Sequence, residues 1–177
     1  MSKQEVAELE RLVGELEKET GPIGSESLAR VGEYVAKTFG VKPDEVAILA
    51  LVNQNKSLKF ILPEKLQAVG TIPMTSATAL AVRTAKEKRA ELTNTFTSVR
   101  HASVFEGVPL GRRHDEPIHK IMSAPIQAAG KVVGVIQVSR KGRSPTDAGP
   151  DFTPKDLQEL VSISSVLGPF LKLCTAA

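Results

Sequence analysis

All three histidines of the chain fall in one window, His101, His114 and His119, with Asp115 and Glu116 between the last two. His114 and His119 are five residues apart, a spacing that does not stack them on a helix face, and Pro117 interrupts any such helix. The window therefore makes a poor metal set. A His/Asp acid–base pair has nothing to activate, because no nucleophile sits at a recognisable elbow. Neither GxGxxG nor GxxxxGK[ST] occurs, so no glycine loop is built for phosphate. No catalytic residue and no metal ligand is assigned. Arg100, Arg112 and Arg113 are a different matter, since planar guanidinium groups match carboxylate or phosphate. Together with Phe96, His101, His114 and His119 they form the candidate set for a small anionic ligand. The competing readings are a solvated surface for the arginines, a polar capping loop for the histidines and core packing for Phe96.

Charge supports the same region. Residues 83–143 hold twelve Lys/Arg and five Asp/Glu, whereas the remainder holds eleven and fifteen. This basic stretch contains only Phe96 and Phe105 as aromatic residues, without the interleaved stacking groups of nucleic-acid binders, so nucleic acid is not expected. A solvated basic face, an anionic small molecule or an acidic partner each fit it. The single cysteine, Cys174, excludes a disulfide framework and a thiolate zinc site. The charged start "MSKQEVAELE" has no apolar h-region, and the longest apolar run, "VAILALV" at 46–52, is far too short to span a bilayer. A cytoplasmic protein without membrane contact is the expectation, and no cofactor is indicated.

The elements that must position these residues can be read along the 177-residue chain. Val6, Leu9, Val13 and Leu16, with Leu12 beside them, give a narrow helical seam over 3–19 that suits a helix lying along a partner. "TGPIGSES" breaks it, and a second helix runs to Phe39. "VAILALVN" at 46–53 reads as a strand buried on both faces. "SLKFILP" at 57–63 alternates, placing Leu58, Phe60 and Leu62 on one side of a partner strand. Thr75 or Ser76 caps a helix over 77–89, and a short strand falls within 91–99. Residues 100–120 read as polar loop. Strands at 121–128 and 132–139 flank Ala129-Gly130, with Pro125 placed at an edge or bulge and Gly134 at a bulge or close backbone approach. "SRKGRSPTDAGPD" reads as a long mobile connection. Thr153 then caps a last helix with Pro154 at its first position, and Gly168-Pro169 should kink or end it.

That last helix is too apolar for one contact. Leu157, Leu160, Val161, Ile163, Val166, Leu167, Phe170, Leu171 and Leu173 cover an arc of roughly 240°, whereas a sheet face needs about 100°. The surplus must meet the N-terminal helix or a second copy, and a homodimer through the terminal helices is expected.

The order of elements resembles the GAF domain family over roughly residues 25–172. The motifs are Ala124-Pro125-Ile126, Gly130, Gly134-Val135-Ile136 and Phe152 to Asp156, preceded by "GTIPMTSATALAVRTAKEKRAELTN". The resemblance implies an α+β fold. Its central antiparallel sheet would carry helices on one face and a ligand pocket under loops and short helices on the other. Residues 1–20 would be a packing or dimerisation helix and 25–173 the domain. It also implies a non-catalytic sensory or regulatory role in which a small molecule shifts a signalling helix, with a separate protein as output. Alternatives are a ligand-free dimerisation module or a small enzyme using the 100–120 loop. The Asn-Lys-Phe-Asp-Glu signature of cyclic-nucleotide binders is absent, Cys174 lies in the tail rather than at a bilin position, and members that reduce free methionine sulfoxide use several cysteines.

Overall fold

The apolar run of 46–52 becomes β1 (Val46–Val52), a strand inside the sheet whose alternate side chains enter two separate cores. It pairs antiparallel with β2 (Ser57–Leu62) on one side and β6 (Lys131–Lys141) on the other. β3 (Thr71–Pro73), β4 (Glu91–Thr93) and β5 (Ile118–Ala128) complete a six-stranded sheet in the order β3-β2-β1-β6-β5-β4, with every described pairing antiparallel. The computed structural model describes residues 3–17, 25–77, 79–96 and 117–175.

One face of the sheet, here called the back, packs against helices α2 (Ser25–Phe39) and α4 (Pro154–Thr175), and α1 (Lys3–Glu17) lies on α4 and α2. The front is covered by α3 (Leu80–Glu87) and a 3-10 turn at Glu64–Val69. This is the α+β architecture expected from the sequence. Among the described residues no helix is long and apolar enough to cross a membrane.

Several local expectations need correction. Leu62 does not share a face with Leu58 and Phe60. The register passes from Leu49 opposite Phe60 to Ile48 opposite Leu62, so Ile61 is an extra residue and the bulge turns Leu62 to the back core. β3, unmarked in the sequence, is three residues long and pairs through Leu58 and Ile72. The 77–89 helix begins at Leu80, although Ser76 Oγ still accepts the Ala79 N–H at 3.2 Å. β5 starts at Ile118, so the polar stretch read as loop to residue 120 already includes strand. The connection after β6 is held by its own bonds: Arg143 N–H to Asp147 Oδ2 (2.9 Å), Asp147 N–H to Ser144 Oγ (3.1 Å) and Gly142 N–H to Pro117 O (3.2 Å).

The hairpin of β5 and β6 turns on Ala129 and Gly130, both at positive φ (53° and 78°), a pairing whose twist matches the flanking strands. β4 reaches only as far as Ser123, so Pro125 falls where that neighbour has ended. Gly134 serves a close approach. A Cβ there would lie 2.2 Å from Leu49 O of β1 and 2.3 Å from Leu171 Cδ2 of α4. Gly168 of α4 mirrors it, for a Cβ there would lie 2.5 Å from Gln127 O of β5. α4 is thus seated on the hairpin through one glycine of the strand and one of the helix. Its start carries a reciprocal cap: Asp156 N–H donates to Thr153 Oγ1 (3.1 Å) and Thr153 N–H to Asp156 Oδ2 (2.8 Å). The helix does not end at Pro169 but continues to Thr175. Ser165 and Pro169 are both exposed, so water can satisfy the carbonyl that Pro169 leaves without a donor. The surplus apolar arc of α4 meets α1, whose Leu9 and Val13 are buried in the same cluster as Leu160, Ile163 and Leu167.

Replacing Gly134 by Ala should cost about 2–3 kcal/mol, because backbone on one side and a packed leucine on the other must both give. Gly130→Ala, with open space around it, should cost about 1 kcal/mol through backbone conformation alone. Urea denaturation of the two variants checks the order, and equal losses would refute the close-approach assignment.

Candidate functional site

The front face is built from alternate residues of the sheet: Ala47 and Leu49 of β1, Leu58 and Phe60 of β2, Ile121 of β5 and Val135 of β6. Leu80, Ala81, Val82 and Ala85 of α3 close over them, and each of these residues is buried. Phe96 and Ile118 belong to this same core. Residues 97–116 lie between them in the sequence.

Among the polar side chains buried on this face are Thr84 of α3, Ser123 of β5 and Gln137 of β6. Their hydrogens can be ordered. Thr84 Oγ1 gives its hydroxyl hydrogen to Leu80 O at 3.0 Å, so Ser123 must be the donor in the 2.7 Å contact with Thr84 Oγ1. Gln137 Nε2 in turn donates to Ser123 Oγ at 3.2 Å. A single-direction chain thus runs from β6 through β5 into α3. Both hydroxyl hydrogens are committed, so neither hydroxyl has one to spare for a reaction.

The end of the sheet where β5 begins holds a group of buried and half-buried polar and charged side chains. His119 sits at a register shift between Ile118 and Lys120, buried, with Nε2 2.8 Å from Gly142 O. A carbonyl only accepts, so Nε2 carries the hydrogen. Nδ1 is buried and meets no partner among the described residues. Glu45 is buried as well, its carboxylate accepting the N–H groups of Lys42 (2.9 Å) and Lys141 (2.6 Å). Lys120 Nζ donates to Gly149 O and pairs with Asp151 Oδ1 at 2.9 Å. Arg140 donates to Phe39 O (3.0 Å) and Gly40 O (3.4 Å) at the end of α2, with its guanidinium 4.7 Å from the Phe152 ring centre.

Several cations of the described basic segment are paired within the chain, Lys120 and Arg140 with backbone carbonyls and others at the surface. Arg83 pairs with Glu91 at 2.7 Å, and Arg89 with Glu87 and Glu91 at 3.1 and 3.4 Å. Of the ligand candidates, Phe96 lies in the front core and His119 on β5, while Arg100, His101, Arg112, Arg113 and His114 fall outside the described residues. Thr84, Ser123 and Gln137 were not among them. Their signal was present: a serine in "MSAPI" and a glutamine in "VIQVS" are polar residues inside apolar strands, and such groups must find partners. Among the described residues no three His, Cys, Asp or Glu side chains gather as a metal site. Asn94, two residues before Phe96, accepts the N–H of Phe152 at Oδ1 (2.9 Å) and donates from Nδ2 to its carbonyl (3.0 Å). The root of the 97–116 segment is thereby tied to the residue two places before α4.

Structural comparison gives this arrangement its class. The GAF domain of an Acinetobacter phosphoenolpyruvate-protein phosphotransferase is similar at a TM-score of 0.69 and 18% identity, covering 100% of this chain and 99% of its own. The nlh2 GAF domain of A. aeolicus, in an inactive state, is similar at 0.59 and 18% identity, covering 96% and 94%. The free methionine-R-sulfoxide reductase of Neisseria meningitidis, in complex with its substrate, is similar at 0.63 and 14% identity, covering 98% and 93%. The chain has the fold of a GAF domain. No protein-family model matches the sequence, and no curated protein matches it.

Ser123→Ala should destabilise the domain by about 1–3 kcal/mol, since it strips the Gln137 amide of its acceptor and Thr84 of its donor. Adding Thr84→Val to that variant should cost less than it does alone, because the two hydroxyls act on one another. Strict additivity in a double-mutant denaturation cycle would contradict the ordered chain.

Proposed function

We propose that the chain is a sensory or regulatory module of the GAF type, in which a small anionic molecule is held at the front face and the terminal helices carry the response. The observation that carries this reading is the burial of Phe96 and Ile118 in the front core, on either side of the stretch of sequence that holds Arg100, His101, Arg112, Arg113 and His114. Guanidinium groups match carboxylate or phosphate, so the three arginines of this stretch suit an anionic ligand. His119 spends its ring hydrogen on Gly142 O, so Nδ1 can only accept a hydrogen bond from a ligand that carries a donor. The Asn94–Phe152 bonds supply a route to α4, because a change at the segment's root acts on the residues that begin that helix.

A methionine sulfoxide reductase is among the similar structures, but thiol chemistry finds little support here. Cys174 is the sole cysteine, and it lies in the last turn of α4, a helix packed on the other side of the sheet. The module is read as non-enzymatic. A ligand-free interaction module is favoured by a separate observation, the complete burial of Ala47, Leu49, Phe60 and Val135 on the front.

A thermal-shift screen with nucleotides, amino acids, keto acids, inorganic phosphate and divalent metals separates the two. An anionic compound should raise the melting temperature, and Arg112→Ala with Arg113→Ala should abolish the shift. A screen with no hit would leave the interaction module. Incubation with free methionine-R-sulfoxide and a dithiol reductant should give no methionine, and turnover would overturn the non-enzymatic reading.

A further inference from the structure

Gln137 stands inside the sheet, on β6 between Ala47 of β1 and Ser123 of β5. Val135, two residues before it, belongs to the front core, so the Gln137 side chain faces the same way. That side chain is 3% exposed. Its bond to Ser123 fixes how the amide is turned. The Ser123 hydroxyl hydrogen is committed to Thr84, so Ser123 Oγ accepts, and the half of the amide that meets it is Nε2. Oε1 is the other half, and it meets no donor among the described residues.

Holding the fold does not require this amide. The bonds from Ser123 to Thr84 and from Thr84 to Leu80 O are complete without it. A Leu or Met in its place would fill the core and would not bury a carbonyl that lacks a donor, which is a cost to stability. The neighbouring positions are short: Ala47 and Ser123 stand opposite on the two adjoining strands, and α3 brings Ala81, Thr84 and Ala85 to the same face. Oε1 is thus an unspent acceptor on the face read above as holding an anion. An acceptor repels a bare anion, whose oxygens also only accept. It attracts an anion that carries a hydrogen.

We propose that Gln137 Oε1 sets the specificity of the front face. The ligand is an anion that also bears an O–H or N–H donor, such as a hydroxy acid, an amino acid or hydrogen phosphate, and anions without such a hydrogen are refused. This rests on the reading of the front face as the one that holds an anionic ligand.

The test is isothermal titration of the full chain with matched pairs: hydrogen phosphate against sulfate, malate against succinate, and glutamate against glutarate. Each pair keeps its overall shape, and the second member lacks the donor. The donor-bearing member should bind at least about tenfold more tightly, the worth of one net hydrogen bond. In Gln137→Met the preference should fall to within about twofold, with the donor-free member bound no more weakly than before. Equal affinities within every pair overturn the inference and leave the anionic sensor reading standing. A preference unchanged in a folded Gln137→Met also overturns it, since the donor is then met elsewhere. If that variant does not fold by circular dichroism, Ser123→Ala takes its place: it unties the amide, should weaken the same preference, and overturns the inference if it does not. Binding of no member of any pair overturns the inference, and an empty thermal-shift screen beside it overturns the sensor reading as well.

Discussion

The back layer depends on how closely α4 can approach the β5–β6 hairpin, and two missing side chains set that distance. Gly134 opens the strand to Leu171, and Gly168 opens the helix to the backbone at Gln127. With the axis at that depth, Leu160, Ile163, Leu167, Phe170 and Leu171 are all buried. Each contributes about 1.5–3 kcal/mol of apolar burial, so the five together rival the net stability of a whole domain before chain entropy is counted. α2 and the bulged end of β2 complete the same cluster, and α1 is added on its outer side.

The front of the sheet is organised on another principle. Apolar packing supplies most of the cover there, but direction comes from the hydrogen-bond chain through Gln137, Ser123 and Thr84. Ser123 and Gln137 are chain neighbours of Met122 and Ile136, which face the back core. A shift of α3 along the front would therefore pull on the same two strands that seat α4. On the reading proposed here, this shared pair of strands lets an event on one face be felt by helices on the other.

Much of this was legible in advance for definite reasons. Strand β1 announced itself because seven apolar residues bounded by turn signals have few other uses. The cap of α4 was readable because Thr153, Pro154 and Asp156 each have a local backbone role. Gly134 declared a bulge or a close approach, and it is the close approach that forms, with partners Leu49 and Leu171 too distant in sequence to be named. What escaped depended on pairing across the sheet. The bulge at Ile61 exists because β1 and β2 pass out of step there, and no periodicity within "SLKFILP" records it. The passage of α4 through Pro169 depends on which side of the helix meets water. His119 looked like part of a loop because its polarity outweighed two neighbouring isoleucines, whereas its ring is bound to a carbonyl 23 positions away. Thr84, Ser123 and Gln137 are uncharged and far apart in sequence, so only the pairing of β5 with β6 and the seat of α3 bring them together.

The placement of Phe96 and Ile118 has a consequence for how such a module diversifies. Both ends of the intervening stretch are anchored in one packed surface, so its closure entropy grows only with the logarithm of its length; a doubling costs about 0.6 kcal/mol. Changes of length between these two anchors therefore cost the fold little, and on the proposed reading they would let recognition vary while the scaffold stays fixed.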